Sequence, residues 1–269
     1  MLFTEKVLHT PETPATIIDA DYRAEYGVIV AERRNRRRSF YHSREKLTLS
    51  LSISFSKVRW MNADTIVLAD TRPKNADDKN VHIVSLTDGV QDSFHGGSCI
   101  QDIVVTRDGI WISYFDEGVF GEGVSTGGGV LFSLKGDVLY SFNHHNHKEI
   151  IIDDCYAVCS GDDDDIWLFP YHSFPLVRFS YKNKETAVFP VSEKLHGASA
   201  IAVRESQAFF HGAYDHKQSI LGTSLHGASE IKNVADYGMT NGYVRGLAPE
   251  CGGAAFIRIS KHVSLLHLA

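Results

Sequence analysis

The chain has 269 residues, of which 43% are hydrophobic and 22% charged, and 27 basic residues against 33 acidic ones give a net charge of −6. This composition excludes general disorder, collagen and a membrane helix bundle, and the mild negative charge argues against a general nucleic-acid binder. No apolar run approaches the roughly 18 residues of a membrane-spanning helix, and four cysteines are too few for a disulfide scaffold.

Short apolar strands recur along the chain and form its strongest pattern. Six similar runs begin at Val28, Ile66, Ile110, Ile166, Ala208 and Ala255. The intervals between them are 38, 44, 56, 42 and 47 residues, and their mean of about 45 matches a four-stranded propeller blade of ~40–50 residues. Helical periodicity is almost absent and Gly-containing turns separate the runs, which favours strands and hairpins throughout.

Each repeat contains the same four predicted strands, which we label A to D. The inner strands A, such as residues 103–106 and 200–203, precede a polar turn and the apolar strand B. A longer loop follows, and strands C and D then form hairpins, of which residues 81–94, 130–142 and 176–191 are the clearest. The pattern indicates one repeated supersecondary unit that packs against its neighbours.

The last repeat ends after strand C with HVSLLHLA, and the first residues, LFTEKVLH, can supply its missing outer strand. Such pairing closes a ring and removes an exposed sheet edge. The sequence therefore predicts an all-β fold, with one β-propeller domain over residues 1–269 and six four-stranded blades. Five or seven blades remain alternatives because of the 56-residue interval, and a β-sandwich is the main rival fold.

Two strings carry a resemblance to known proteins. IWISYFDEGVFG (110–121) resembles the strand-B-and-exit segment of uncharacterised bacterial β-propeller proteins, and NGYVRGLAP (241–249) resembles a strand-A entry in such propellers. The resemblance implies a six-bladed repeat protein of unknown function and brings no established catalytic residues. Six-bladed lactonases bind metal near the central axis through acidic and amide side chains, but that analogy is one of fold alone.

Four polar residues precede the inner strands at a similar spacing, 12 to 15 residues before strand B of their blades. They are His95, Asp153, His196 and Asn241. Because the loops between strands D and A share one face of a propeller, we expect all four at one mouth of the central channel. Imidazole and carboxylate groups suit zinc, iron or manganese, so one interpretation is a divalent metal site. The other is a polar lining in which each side chain bonds a neighbouring loop.

The loops between strands B and C add further polar groups to the same face. The residues that we expect to bind a ligand there are Asp116, Glu117, His172 and His211, together with Arg245 on the last inner strand. Tyr171 and Tyr214 add aromatic walls, and a concave polar mouth of this kind is typical of a small-molecule or sugar site. Arg245 has two interpretations, as a clamp for an anionic ligand or as the partner of a nearby aspartate.

Other motifs have weaker functional interpretations. Gly123–Gly127 fits G-x-S-x-G, but a nucleophile elbow needs a strand, a turn and a helix, and this stretch is predicted as a loop. The aspartates 162–165 are predicted as a solvated turn, because the EF-hand pattern is absent. The basic run 33–38 is predicted as a solvated loop or as a contact for an anionic ligand or a protein partner.

These features favour a binding or scaffold protein with a polar, His-rich site at the channel mouth, whose ligand is a small molecule, a glycan or a protein. The alternative is a metal-dependent, lactonase-like hydrolase or lyase at the same mouth, so the sequence does not decide whether the protein is an enzyme. No motif for a nucleotide cofactor is present. The start of the chain lacks the apolar stretch of a signal peptide, which predicts a cytoplasmic protein.

Overall fold

The computed structural model describes residues 3–35, 37–43, 45–49, 51–75, 77–145, 150–226, 231–236, 242–251 and 253–268. Six four-stranded antiparallel sheets are arranged as blades around a central channel. The predicted all-β, six-bladed propeller is confirmed, and so is the resemblance to β-propeller proteins at the level of the fold. In the described part of the chain, no helix is long and apolar enough to span a membrane.

In chain order the strands are β1 (Phe3–His9), β2 (Thr16–Arg23), β3 (Gly27–Arg34), β4 (Arg37–His42), β5 (Glu45–Lys46), β6 (Lys57–Asn62), β7 (Thr65–Ala69), β8 (Val81–Ser85), β9 (Gly89–Phe94), β10 (Ile100–Thr106), β11 (Gly109–Tyr114), β12 (Gly129–Phe132), β13 (Val138–Ser141), β14 (Cys155–Ser160), β15 (Ile166–Pro170), β16 (Leu176–Ser180), β17 (Glu185–Phe189), β18 (Ala200–Arg204), β19 (Gln207–Ala213), β20 (His216–Ser224), β21 (Lys232–Asp236), β22 (Tyr243–Gly246), β23 (Ala254–Ile259) and β24 (Val263–Leu268). The short helices are α1 (Asp116–Val119) and the 3₁₀ turns Gly123–Gly127, Asn143–His145, Asp162–Asp164 and Glu193–Leu195.

Blades 1 to 5 each take four consecutive strands, beginning with β2, β6, β10, β14 and β18. Blade 6 combines β22, β23 and β24 with β1, the first strand of the chain. β1 and β24 are antiparallel, with Phe3 opposite Leu268 and Val7 opposite Ser264. The predicted closure of the ring by the N-terminal strand is thus confirmed.

The hydrophobic core lies between neighbouring blades rather than within one sheet. Trp111 of β11 is fully buried and belongs to a cluster that joins blade 3 to Val158 and Leu168 of blade 4. The six apolar runs of the sequence coincide with β3, β7, β11, β15, β19 and β23. These second strands are buried on both faces, which explains why they read as continuous apolar segments.

The topology gives the channel two different ends. We call the end with the D-to-A and B-to-C loops the mouth, and the end with the A-to-B and C-to-D turns the base. Gly123–Gly127 lies between β11 and β12 on the mouth side, whereas Asp162–Asp164 forms the predicted turn at the base. The prediction of a solvated turn is wrong for Asp165, which is buried and paired with Arg178. The basic run spans the tight turn between β3 and β4, and its Arg36 lies outside the described residues. All four cysteines are buried and free.

Candidate functional site

Charged side chains of the inner strands fill the middle of the channel. The guanidinium of Arg59 donates from Nη1 to Asp19 Oδ2 at 2.6 Å, from Nη2 to Asp102, and from Nε to the carbonyl of Ile103 at 3.1 Å. Only 2% of Arg59 is exposed. Burial favours the neutral form of both partners, but Arg59 holds the pKa of Asp102 well below its usual range, and the two aspartates raise the pKa of Arg59.

A second ion pair completes this network, which we call the channel plug. Arg245 Nη2 lies 2.5 Å from Asp21 Oδ1, and Tyr243 donates its hydroxyl hydrogen to Asp102 Oδ2 at 2.9 Å. Of the two interpretations of Arg245, the structure shows the ion pair. Arg245 is buried against an aspartate of blade 1, and its role in binding a ligand stays a prediction.

The channel plug leaves little space along the axis. Among the described residues, one cavity of about 20 Å³ lies beside the plug toward the base and another of about 10 Å³ lies beside it toward the mouth. A volume of ~10–15 Å³ holds about one water molecule. A larger ligand must therefore bind outside the plug.

Five aromatic rings meet at the mouth over blades 4 and 5, and we call this group the aromatic site: Tyr156, Tyr171, Phe174, His196 and Tyr214. Tyr156 stacks on Tyr171 with ring centroids 5.6 Å apart, and its hydroxyl lies 2.9 Å from that of Tyr214. Phe174 packs beneath, 4.8 Å from the imidazole of His196. Tyr171 and Tyr214 are 50% and 48% exposed, so the rings present a surface to solvent.

A glycine makes this arrangement possible. Gly197 has a φ of +79°, and a Cβ at that position would lie 2.3 Å from Tyr214 Cδ1. Only glycine combines this left-handed backbone with such a close approach. The glycine of the recurring string that begins at His196 therefore lets the ring of Tyr214 pack against the backbone. Gly97 of the related string makes a similar close approach to Tyr114.

The predicted metal ligands that the structure describes lie in D-to-A loops at the mouth, as expected, but each has a different neighbour. His95 Nδ1 lies 3.1 Å from the carbonyl oxygen of Asp78, Asp153 lies 3.7 Å from His172 Nδ1, and His196 stacks on Phe174. Asn241 lies outside the described residues. Within the described ranges, no three His, Cys, Asp or Glu side chains are grouped so that they could hold a metal ion. The predicted metal site therefore stays a prediction.

The predicted ligand-binding residues separate into two groups. Asp116 and Glu117 begin α1 at the mouth, where His172 is also exposed, although Glu117 Oε2 is paired with Arg72 at 2.6 Å. The hydrogen bond from Arg72 lowers the pKa of Glu117. His211 instead lies beside Arg258 of blade 6, and burial together with that positive charge lowers its pKa to about 4. The imidazole of His211 is therefore uncharged at neutral pH.

Sequence reasoning missed Asp154, which precedes β14 and lies half-buried at the mouth. Burial raises its pKa to about 6, and the negative charge of Asp116 contributes. The sequence signal that could have identified Asp154 as a site residue was its position directly after Asp153 and two residues before Tyr156. A carboxyl group that titrates near neutrality is suited to proton transfer or to a pH-dependent hydrogen bond.

Replacing Asp154 by asparagine should stabilise the protein at about pH 8 and leave its stability nearly unchanged near pH 4. The folded state favours the neutral carboxyl of Asp154. The contribution of this side chain to the free energy of unfolding is therefore complete below its ordinary pKa of 3.8 and is lost as pH rises through 6. Discounted for solvent exposure, the gain at high pH is about 1 kcal/mol, or ~2–4 °C in Tm. Thermal unfolding at the two pH values measures it, and equal Tm changes would contradict this cause.

Comparisons with known proteins support the fold. No protein-family model and no curated protein matches the sequence. Among solved structures, virginiamycin B lyase from Staphylococcus aureus is 10% identical with a TM-score of 0.57, over 99% of this chain and 100% of that one. Hsv2 from Kluyveromyces lactis, with one loop replaced by a Gly-Ser linker, is 11% identical with a TM-score of 0.58, over 91% of this chain and 75% of that one. At such identities the likeness shows the fold alone.

Proposed function

We propose that this protein is a binding protein whose aromatic site holds a glycan or another small molecule that contains a saturated ring. The observation that carries the proposal is the pair of half-exposed tyrosines, Tyr171 and Tyr214, that flank Tyr156 at the channel mouth. Phe120 and Ile151, on the same face, are 72% and 58% exposed. Exposed aromatic rings that are grouped together on a folded chain mark an interaction site.

The neighbouring polar groups indicate the chemistry of the ligand. A sugar ring presents an apolar C–H face that can stack on a tyrosine, and hydroxyl groups around its edge that need hydrogen-bond partners. Asp153, Asp154 and His172 lie around the rings and can supply those partners. Because carboxylates repel anions, these groups favour a neutral or amino sugar over a phosphorylated one.

Binding should depend on the two exposed rings. In a glycan array followed by calorimetry on the best glycan, Tyr171→Ala and Tyr214→Ala should each weaken binding about 5–10-fold, equivalent to ~1–1.4 kcal/mol. Tyr181→Ala is the matched control, since Tyr181 follows β16 on the base side, and it should leave the affinity unchanged. Equal losses in all three variants, or no glycan or ring-containing molecule bound at all, would contradict the proposal. Capture of a protein partner instead would also contradict it.

A lyase or hydrolase at the same mouth is the second candidate. The observation in its favour is Asp154, whose pKa of about 6 suits a general acid or base and which lies close to Tyr156. Three solved structures of similar fold are named lyases. Asp154→Asn would then abolish turnover of a bound compound and retain its binding, whereas a pure binding protein would show no turnover in either form.

A further inference from the structure

Lys57 is placed at the mouth without a counterion. It is the first residue of β6, it is half-buried, and its Nζ lies 4.6 Å from the ring centroid of Tyr243. Among the residues that the structure describes, this ammonium group has no ion pair and no hydrogen bond. Its principal contact is therefore the face of an aromatic ring.

The nearby carboxylates are already in use. Asp19 accepts hydrogen bonds from Arg59 Nη1 at 2.6 Å and from the backbone N–H of Val58 at 2.9 Å. Asp102 accepts hydrogen bonds from Arg59 and from the hydroxyl of Tyr243. Both carboxylates therefore accept their hydrogen bonds from other groups, and neither is paired with Lys57.

The charges that surround Lys57 come from every inner strand packed against it. Asp19 of β2 and Asp102 of β10 favour the ammonium form, whereas Arg59 of its own strand and Arg245 of β22 disfavour it. Burial is the largest influence, and together these groups lower the pKa of Lys57 from its ordinary value of 10.5. The neutral amine is thus more populated at neutral pH than for an exposed lysine.

We propose that Lys57 is a nucleophile that forms an imine with an aldehyde or ketone bound at the mouth, such as the open-chain form of a reducing sugar. The position carries the proposal, since a primary amine without an ion-pair or hydrogen-bond partner among the described residues stands at the mouth end of an inner strand and contacts the ring of Tyr243. Desolvation and neighbouring cations activate lysine for this chemistry in proteins.

The proposed step needs no cofactor. The amine lone pair attacks the carbonyl carbon, and the carbonyl oxygen takes a proton from water at the open mouth to give a carbinolamine. The nitrogen gives one proton back to that water and a second to the hydroxyl group, the C–N double bond forms and the protonated hydroxyl leaves as water. Amine plus carbonyl compound thus gives imine plus water, with no change of oxidation state.

The test is site-resolved trapping on the full-length protein. Glycolaldehyde and sodium cyanoborohydride are added at about pH 7, and mass spectrometry of peptides gives the modification rate of each lysine. Lys57 should react at least about tenfold faster than Lys135, because burial lowers the pKa of Lys57 and the pair with Asp92 raises that of Lys135, so that more of Lys57 is the neutral amine at this pH. Lys135 is the matched control because its Nζ is paired with Asp92 at 2.8 Å, which raises its pKa.

The ratio of the two rates should fall as pH approaches about 10, since Lys135 then also loses its proton. A Lys57 rate equal to or below that of Lys135 near neutral pH would overturn the inference. Lys57→Arg should remove the fast adduct, and a fast adduct that persists on another lysine would overturn it as well.

The inference rests on the proposed function only in naming a sugar as the carbonyl compound, and the two can fail separately. Glycan binding by the wild type and by Lys57→Arg, without fast trapping, would overturn imine formation and leave the binding proposal intact. Fast trapping at Lys57 in a protein that binds no glycan or other ring-containing molecule would support the reactive amine and contradict the binding proposal.

Discussion

Replacing Arg59 by methionine is expected to lower the free energy of unfolding by about 3–5 kcal/mol, the usual cost of breaking a buried ion pair by removing one partner. Arg59 is 2% exposed and bridges Asp19 of blade 1 to Asp102 of blade 3. Its loss leaves two buried carboxylates without their cation. Urea denaturation followed by circular dichroism measures the change.

Two further variants show whether the buried charges are the cause. Arg72→Met removes the exposed pair with Glu117, and it should shift the urea midpoint far less, because exposed pairs are screened by water. Arg59→Met combined with Asp19→Asn and Asp102→Asn should recover part of the lost stability, since the uncompensated charges are gone. If Arg59→Met shifts the midpoint no more than Arg72→Met, the channel plug does not stabilise the ring as described.

Replacing Gly246 by alanine should cost about 3 kcal/mol, at the upper end of the usual penalty for overpacking. A Cβ there would lie 1.7 Å from the carbonyl oxygen of Ile201, on the inner strand of the next blade. Backbone of a neighbouring blade cannot turn aside as a side chain can. Urea denaturation again measures the loss.

Gly222→Ala is the matched control for this close contact. Gly222 lies in β20, and its added Cβ would meet Phe209 Cδ1 at 3.3 Å, a contact that a small shift of the ring relieves. Its expected cost is below about 1 kcal/mol. Similar costs for the two alanines would show that the inner strands are less tightly packed than the structure indicates.

The blades were predictable because each one repeats the same buried second strand. The runs that begin at Ile110 and Ile166, for example, coincide with β11 and β15. Closure was predictable for a related reason, since the last repeat lacks one strand that the first residues can supply. Both features depend on patterns that are local in the sequence.

The channel plug could not be predicted in the same way. Asp19 and Arg59 are 40 residues apart, and Asp21 and Arg245 are 224 apart. Their contacts depend on the height of each residue on its inner strand, and a repeat of variable length leaves that height undetermined. The sequence therefore left Arg245 with two interpretations, and only the assembled ring distinguishes them.

The candidate site was predictable in part. His95, Asp153 and His196 lie at the mouth because loops of the same kind share one face of the propeller. The sequence also placed Tyr171 and Tyr214 on that face, but not their contacts with Tyr156. Those contacts depend on packing between blades and on the approach that Gly197 permits, which no spacing in the sequence records.

The most direct test of the proposed binding site is a crystallographic screen of the protein with a library of saturated-ring and aromatic fragments. The measurement is where the fragments bind, so it does not depend on the identity of the natural ligand. We expect fragments to concentrate on Tyr156, Tyr171 and Tyr214 at the mouth. Fragments that bind elsewhere, with this face left bare, would contradict the account.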